Sequence, residues 1–200
     1  MMKLKALLLG AALAGVTLIA PSNLVQAQVC PRPTGVVAPS KETRLIRNER
    51  FNYRFQIPAN YKSMAVNTNG TLILDPKRFE EAQCLVRIRA GVEFPDSITV
   101  YTEPVNPRNR SVADLVRQNT LATITGTRTV ANQTAVTYTS DTMGYGEAHV
   151  AFFTPDRKHM IIVSAPFQSQ QNSRGERVRG DIFNKSVFDT VVSSFIFVRR

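Results

Sequence analysis

The stretch that decides the fold is Tyr145-Gly-Glu-Ala-His-Val-Ala-Phe-Phe-Thr-Pro-Asp-Arg-Lys-His-Met-Ile-Ile-Val-Ser-Ala165. Two largely apolar runs, 145–154 and 159–165, flank a polar turn, and this pattern predicts an antiparallel hairpin. If residue 154 faces residue 159, then 152 faces 161, 150 faces 163 and 148 faces 165. Both faces of the hairpin are then apolar, so we expect other elements to cover both of them.

Outward from this hairpin, the sequence supplies further strands and the elements that cover them. Apolar residues at 51, 53, 55 and 57 alternate with polar ones and predict a half-buried strand. Ser111 is a predicted N-cap of a helix over 111–121, and a second amphipathic helix is predicted over 181–193. The chain is therefore expected to have an α+β fold, an antiparallel β-sheet covered by helices on both faces. Other strands are predicted at 71–74, 84–90, 97–102, 127–131, 134–140 and 195–198, and a short helix at 77–83.

The N-terminus has the pattern of a secretory signal peptide, with two lysines before an apolar run over 6–20. Val25 and Ala27 are aliphatic and small, as cleavage requires, so we predict cleavage between Ala27 and Gln28. An uncleaved anchor is the alternative, but this run is shorter than the ~20 residues that span a bilayer. The predicted organisation is a signal peptide at 1–27, a proline-rich tail at 28–48 and a single domain at 49–200.

The predicted export determines both the compartment of the protein and the net charge of its mature chain. We expect an extracytoplasmic protein, in the periplasm or thylakoid lumen, that is soluble after cleavage, because Gln28 and Val29 occupy positions where a lipid anchor needs small residues. Removing residues 1–27 removes two lysines and no acidic residue, so the formal charge falls from +10 to +8. This excess favours an acidic protein or an anionic membrane surface as partner, and a merely soluble basic surface is the alternative. We expect a monomer and no nucleic-acid partner.

The two cysteines of the chain are Cys30 and Cys84. An oxidising compartment favours a disulfide between them, which would tie the N-terminal tail to the domain. Two unpaired thiols are the alternative. A metal pair without histidine or further cysteine is disfavoured.

Sequence motifs of catalysis are absent. The chain has no Gly-x-Ser-x-Gly elbow, His-Glu-x-x-His pair, Cys-x-x-Cys pair or phosphate loop. In the predicted hairpin His149 and His159 lie roughly 17 Å apart, too far to share one metal ion. His149 near Glu147 or Asp141 is a candidate metal ligand, and a packing or surface histidine is the alternative. We therefore expect a protein that is not an enzyme and has no cofactor.

Most basic residues are arginines, and they occur in small groups along the chain. Arginine suits bidentate contact with carboxylate or phosphate, so each group is a candidate for docking onto an acidic surface. We predict that the group Arg174, Arg177 and Arg179 is the partner-docking site.

Four stretches share the order and pattern of a known family. They are Phe51-Asn-Tyr-Arg-Phe-Gln-Ile-Pro-Ala-Asn-Tyr61, the Ser111 helix after Pro107, Gly146-Glu-Ala-His149 with the hairpin's polar turn, and Phe188-Asp-Thr-Val-Val-Ser-Ser-Phe-Ile-Phe197. On these stretches, over about 51–198, the chain resembles the PsbP family, the extrinsic proteins of photosystem II and their relatives. The segment Asn69-Gly-Thr-Leu-Ile-Leu-Asp-Pro76, followed by Cys84, is also similar to uncharacterised exported proteins of cyanobacteria.

This resemblance implies an α-β-α sandwich and a non-enzymatic role, in which the protein binds and stabilises a membrane complex from the thylakoid lumen. It also implies an association with calcium or another divalent metal, with His149 as the residue carried over. The family's cyanobacterial photosystem member resembles a lipoprotein, whereas this chain lacks the lipobox, which leaves the partner unspecified. Two functions stay open: an exported scaffold that docks on an acidic protein or membrane complex, and an envelope small-ligand-binding protein or hydrolase with an unrecognised pocket.

Overall fold

The central hairpin has the register that its apolar pattern predicts. Ala148 faces Ala165, Val150 faces Val163, and Phe152 faces Ile161. The backbone N–H of Thr154 donates to the carbonyl oxygen of His159 and closes the turn. The structure is a computed structural model that describes residues 29–91, 93–106, 111–142, 145–171 and 177–198.

The described residues form eleven strands and three helices. The strands are β1 (Thr43–Asn48), β2 (Tyr53–Pro58), β3 (Lys62–Val66), β4 (Gly70–Leu74), β5 (Ile98–Pro104), β6 (Ala122–Val130), β7 (Gln133–Thr142), β8 (Tyr145–Phe153), β9 (His159–Gln171), β10 (Arg177–Ile182) and β11 (Ile196–Phe197). The helices are α1 (Pro76–Arg87), α2 (Val112–Arg117) and α3 (Lys185–Ser193).

These strands build two antiparallel sheets. The large sheet has the order β3-β4-β5-β9-β8-β7-β6, and β10 pairs with the distal part of β9. The small sheet has the order β1-β2-β11. The hairpin β8–β9 therefore lies in the middle of the large sheet, where both of its faces can be covered.

The first face of the large sheet packs against the small sheet and α3. Phe55 and Ile57 of β2 are fully buried in the same apolar cluster as Phe152 and Ile161. Phe195, just before β11, lies at the centre, with its ring 5.0 Å from that of Phe152 and 5.6 Å from that of Phe55. Helix α3 adds the apolar stripe Val187, Phe188, Val191 and Val192. The apolar residues that alternate over 51–57 and those with helical spacing over 187–192 thus pack in one core.

The second face is covered by α2 and α1. Val112 and Val116 of α2 pack with Ala151 and Phe153 of β8. Ala82 of α1 packs with Leu72 and Leu74 of β4 in a separate cluster. The residues of β8 thus alternate between the two cores, as the hairpin pattern predicts.

The antiparallel sheet of the predicted fold is confirmed, but the helical cover is smaller than predicted. Helix α2 has six residues and α3 has nine, and the small sheet covers much of the first face. The fold is therefore mostly antiparallel β-structure with three short helices in the described residues.

Two local predictions were wrong. Residues 43–48, expected within a tail, form β1 and pair with β2 along its length. Residues 84–90 were expected to be a strand, but α1, which Asp75 caps and Pro76 begins, continues to Arg87. The apolar alternation at 84–90 is short, and a run of this length fits the period of a helix as well as that of a strand. The strands β3 and β10 were not predicted.

Candidate functional site

A polar cluster lies on the second face of the large sheet, where β7 and β8 pair. The register places Tyr138 opposite His149 and Ser140 opposite Glu147. The rings of Tyr138 and His149 stack at 4.4 Å with an interplanar angle of 14°. The hydroxyl oxygen of Ser140 lies 2.7 Å from Nε2 of His149, and Oε2 of Glu147 lies 3.7 Å from the same nitrogen. His149 thus lies beside Glu147, one of the two carboxylates that the sequence suggested as its neighbours.

Burial controls the charges of this cluster. His149 is 8% exposed, and burial lowers the pKa of its imidazole to about 4. Burial raises the pKa of Glu147, and burial followed by the charges of Glu103 and Glu147 raises the pKa of Tyr138 to about 12. At neutral pH the histidine and the tyrosine are both uncharged, so the cluster is a packed polar network.

The geometry differs from that of a catalytic triad. In such a triad one imidazole nitrogen faces the nucleophilic hydroxyl and the other faces the orienting carboxylate. Here Ser140 and Glu147 approach the same nitrogen, Nε2, while Nδ1 of His149 is buried and has no hydrogen-bond partner among the described residues. This arrangement gives Ser140 no oriented base.

The same cluster offers few metal ligands. His149 supplies one imidazole nitrogen and Glu147 one carboxylate, whereas calcium takes six to eight oxygen ligands. Among the described residues there is no group of three or more His, Cys, Asp or Glu side chains placed to hold a metal ion. The metal association of His149 stays a prediction.

Sequence reasoning missed Tyr138 and Ser140. Both lie on β7, and they reach His149 and Glu147 only through the β7–β8 register. The signal available in the sequence was Gly144-Tyr145-Gly146 between the two runs, because glycines between two strand patterns favour a hairpin.

A second candidate is the outer side of the small sheet, which we call the outer arginine face. Arg47 of β1 stands directly opposite Arg54 of β2, and Arg54 stands opposite Ile196 of β11. Leu45 and Ile196 are each 40% exposed on this side. The face consists of Thr43, Leu45, Arg47, Arg54, Gln56 and Ile196.

Arg47 and Arg54 carry like charges at directly opposite positions. Directly opposite residues on one sheet face have Cβ atoms about 5 Å apart, and like charges at such positions destabilise the sheet. Among the described residues, neither Arg47 nor Arg54 forms an ion pair. By contrast, Arg44 on the inner side of β1 donates to the carbonyl oxygen of Tyr61 and has a structural role.

The docking group chosen from the sequence lies at the β9–β10 hairpin. Arg174 is outside the described residues. The backbones of Arg177 and Arg179 pair with Gln171 and Ser169 of β9. The docking role of these three arginines stays a prediction, as does cleavage between Ala27 and Gln28, which also lie outside the described residues.

The predicted disulfide joins Cys30 to Cys84 on α1. Hydrogen bonds hold the segment that follows Cys30 against the domain. Arg78 donates to the carbonyl oxygen of Gly35 at 2.7 Å, and the hydroxyl of Tyr61 donates to that of Val37 at 2.8 Å. The bridge therefore ties this segment to the domain, as the cysteine count suggested.

In the described part of the chain, no helix is both long and apolar enough to cross a membrane. No protein-family model matches the chain, and no curated protein does so either.

Solved structures do match, and one is a PsbP protein, the family that the sequence resemblance named. It is the solution structure of cyanobacterial PsbP (CyanoP) from Synechocystis, which is 14% identical, with a TM-score of 0.46 over 84% of this chain and 98% of that chain. The chain is also similar to a protein from Bacteroides thetaiotaomicron, at 7% identity and a TM-score of 0.43, over 78% of this chain and 48% of that one.

Proposed function

We propose that the protein is an exported, non-enzymatic scaffold of the PsbP type that docks through its outer arginine face onto an acidic protein surface. The observation that carries this proposal is the cross-strand pair Arg47 and Arg54. Arg47 is exposed and Arg54 half-buried on one sheet face, and neither forms an ion pair within the described part of the chain. A carboxylate from a partner relieves this repulsion.

The composition of the face supports a protein partner. Leu45 and Ile196 expose apolar area beside the two arginines, and arginine is enriched at protein interfaces, whereas lysine and acidic residues are depleted there. The surrounding segment, residues 41–62, carries six basic and two acidic residues. Exposed aliphatic groups are better covered by a protein surface than by solvent, and the guanidinium groups beside them favour an acidic one.

The non-enzymatic part of the proposal rests on the polar cluster. His149 is the one buried histidine of the described residues, and its contacts give no oriented base and no electrophile. The cluster lies on the second face of the large sheet, away from the outer arginine face, so docking and the histidine are structurally separate.

The test compares two double variants with equal loss of charge. Arg47→Gln with Arg54→Gln alters the outer arginine face, and Arg87→Gln with Arg128→Gln alters exposed arginines elsewhere. Each protein is immobilised, incubated with the envelope fraction of its own cell at low salt, and eluted by salt up to about 0.5 M, where screening is strong.

We expect a set of acidic proteins that the unaltered protein and the control variant retain and that the Arg47/Arg54 variant does not. Identical retention by the two variants would refute the proposed face. Phosphatidylglycerol vesicles serve as a second probe, because binding to vesicles that depends on Arg47 and Arg54, without a retained protein, would assign the face to a membrane surface instead.

A further inference from the structure

An open cleft of about 400 Å³ lies at one end of the sandwich, beside the turn of the central hairpin. The turn after β1 contributes Arg50 and Phe51, and the β8–β9 turn contributes Asp156. His159 at the start of β9 and Phe197 of β11 complete this part of the lining. A volume of this order lies within the range of small-molecule sites. The cleft is separate from the polar cluster at His149.

The apolar wall of the cleft is fixed to the core. The ring of Phe51 meets that of His159 edge to face at 5.0 Å. The ring of Phe197 lies 6.0 Å from that of Phe195 and 6.2 Å from that of Phe152. These contacts hold the aromatic groups in place before any ligand arrives, which limits the entropy lost on binding.

The cleft also has one charge of each sign. The guanidinium carbon of Arg50 lies 5.2 Å from the centre of the Phe51 ring, and Asp156 approaches from the hairpin turn. In the described residues, neither side chain forms an ion pair. Arg50 and Asp156 thus present opposite charges that do not neutralise each other.

The carboxylate of Asp156 is held in a defined position. The hydroxyl of Thr154, which is 5% exposed, donates to Oδ1 at 2.6 Å, and the backbone N–H of Lys158 donates to the same oxygen at 3.1 Å. The hydrogen bond from Thr154 is the main reason that the pKa of Asp156 is lowered, so this carboxylate is ionised at neutral pH.

We propose that this cleft binds a small zwitterion with an apolar side chain, such as an aromatic amino acid or a short peptide. The ligand's carboxylate contacts Arg50, its ammonium group contacts Asp156, and its apolar part lies on Phe51 and Phe197. A simple anion is attracted by Arg50 but repelled by Asp156, and a simple cation is attracted by Asp156 but repelled by Arg50. A zwitterion satisfies both charges.

The test uses four probes and calorimetry at low salt. L-phenylalanine and glycyl-phenylalanine are zwitterions with different charge separations, while phenylacetate keeps only the carboxylate and phenethylamine only the ammonium group. Each exposed ion pair contributes up to ~1 kcal/mol, a factor of about five in affinity. We therefore expect at least one zwitterion to bind about fivefold more tightly than either singly charged analogue.

Two variants locate the binding. Arg50→Gln should remove the preference for the zwitterion over phenethylamine, and Asp156→Asn, which keeps the oxygen that accepts from Thr154, should remove the preference over phenylacetate. The Arg47→Gln/Arg54→Gln variant should bind the zwitterions normally, which separates this site from docking. The proposal is overturned if all four probes bind equally, if no zwitterion binds up to about 10 mM, or if both cleft variants leave zwitterion binding unchanged.

Discussion

His149 should make the folded protein sensitive to acid. The unfolded chain protonates this histidine near pH 6.5, whereas burial delays protonation in the folded chain to about pH 4. Between these values the unfolded state binds more protons, so the free energy of unfolding falls as the pH is lowered. One pKa unit corresponds to 1.36 kcal/mol, so the loss between pH 7.5 and pH 4.5 is about 2.5 kcal/mol.

The groups that face His149 modify this loss. Glu147, 3.7 Å away, has a raised pKa and therefore opposes the effect, because the folded state takes up its proton first on acidification. Tyr138, with its pKa raised to about 12, stays neutral throughout the acid range, and the hydroxyl of Ser140 does not titrate there. The contribution of His149 is therefore measured as a difference between variants.

The perturbation is His149→Gln, with His159→Gln as the control that removes the chain's other histidine. Urea unfolding at pH 7.5 and 4.5, followed by circular dichroism with the disulfide intact, gives the free energy of unfolding of each protein. We expect the loss on acidification to be smaller by about 2.5 kcal/mol in His149→Gln and unchanged in His159→Gln. An unchanged loss in His149→Gln would show that this imidazole does not carry the acid sensitivity.

Two further predictions concern the N-terminal segment and α1. Replacing Cys30 and Cys84 together by alanine should lower the free energy of unfolding by about 4 kcal/mol, the chain-entropy value for a closed loop of this length, and urea unfolding checks it; a loss below about 1 kcal/mol would contradict the entropic account. Asp75→Ala should cost about 3 kcal/mol in the same assay, because the fully buried carboxylate caps α1 and pairs with the largely buried Arg78. Asp75→Asn keeps the capping oxygen but loses the ion pair, so it should cost clearly less; equal costs would refute the capping contribution, and no cost in Asp75→Asn would refute the ion-pair contribution.

The sequence predicted those parts of the fold in which a local pattern of residues is compatible with only one arrangement of the chain. The β8–β9 register follows from the polar turn and the apolar pairs around it, because a shift of one residue would change the face of every side chain. The end of α1 could not be predicted in this way, because Asp75 and Pro76 mark only where a helix begins and the short alternation after Cys84 also fits a strand. Strand β1 was missed because the proline-rich pattern before it was extended too far.

The candidate sites could not be predicted in the same way, because their residues come from distant segments. Arg47 and Arg54 look like two ordinary basic residues until the β1–β2 register sets them opposite each other. In the cleft, Phe51 and His159 are more than a hundred residues apart, and only the packing of the small sheet on the large one joins them. Alternation predicts which face a side chain lies on, but the partner across that face depends on which strands pair. A charged side chain that forms no ion pair is therefore recognised only in the folded chain, and among the described residues Arg47, Arg54, Arg50 and Asp156 share this property.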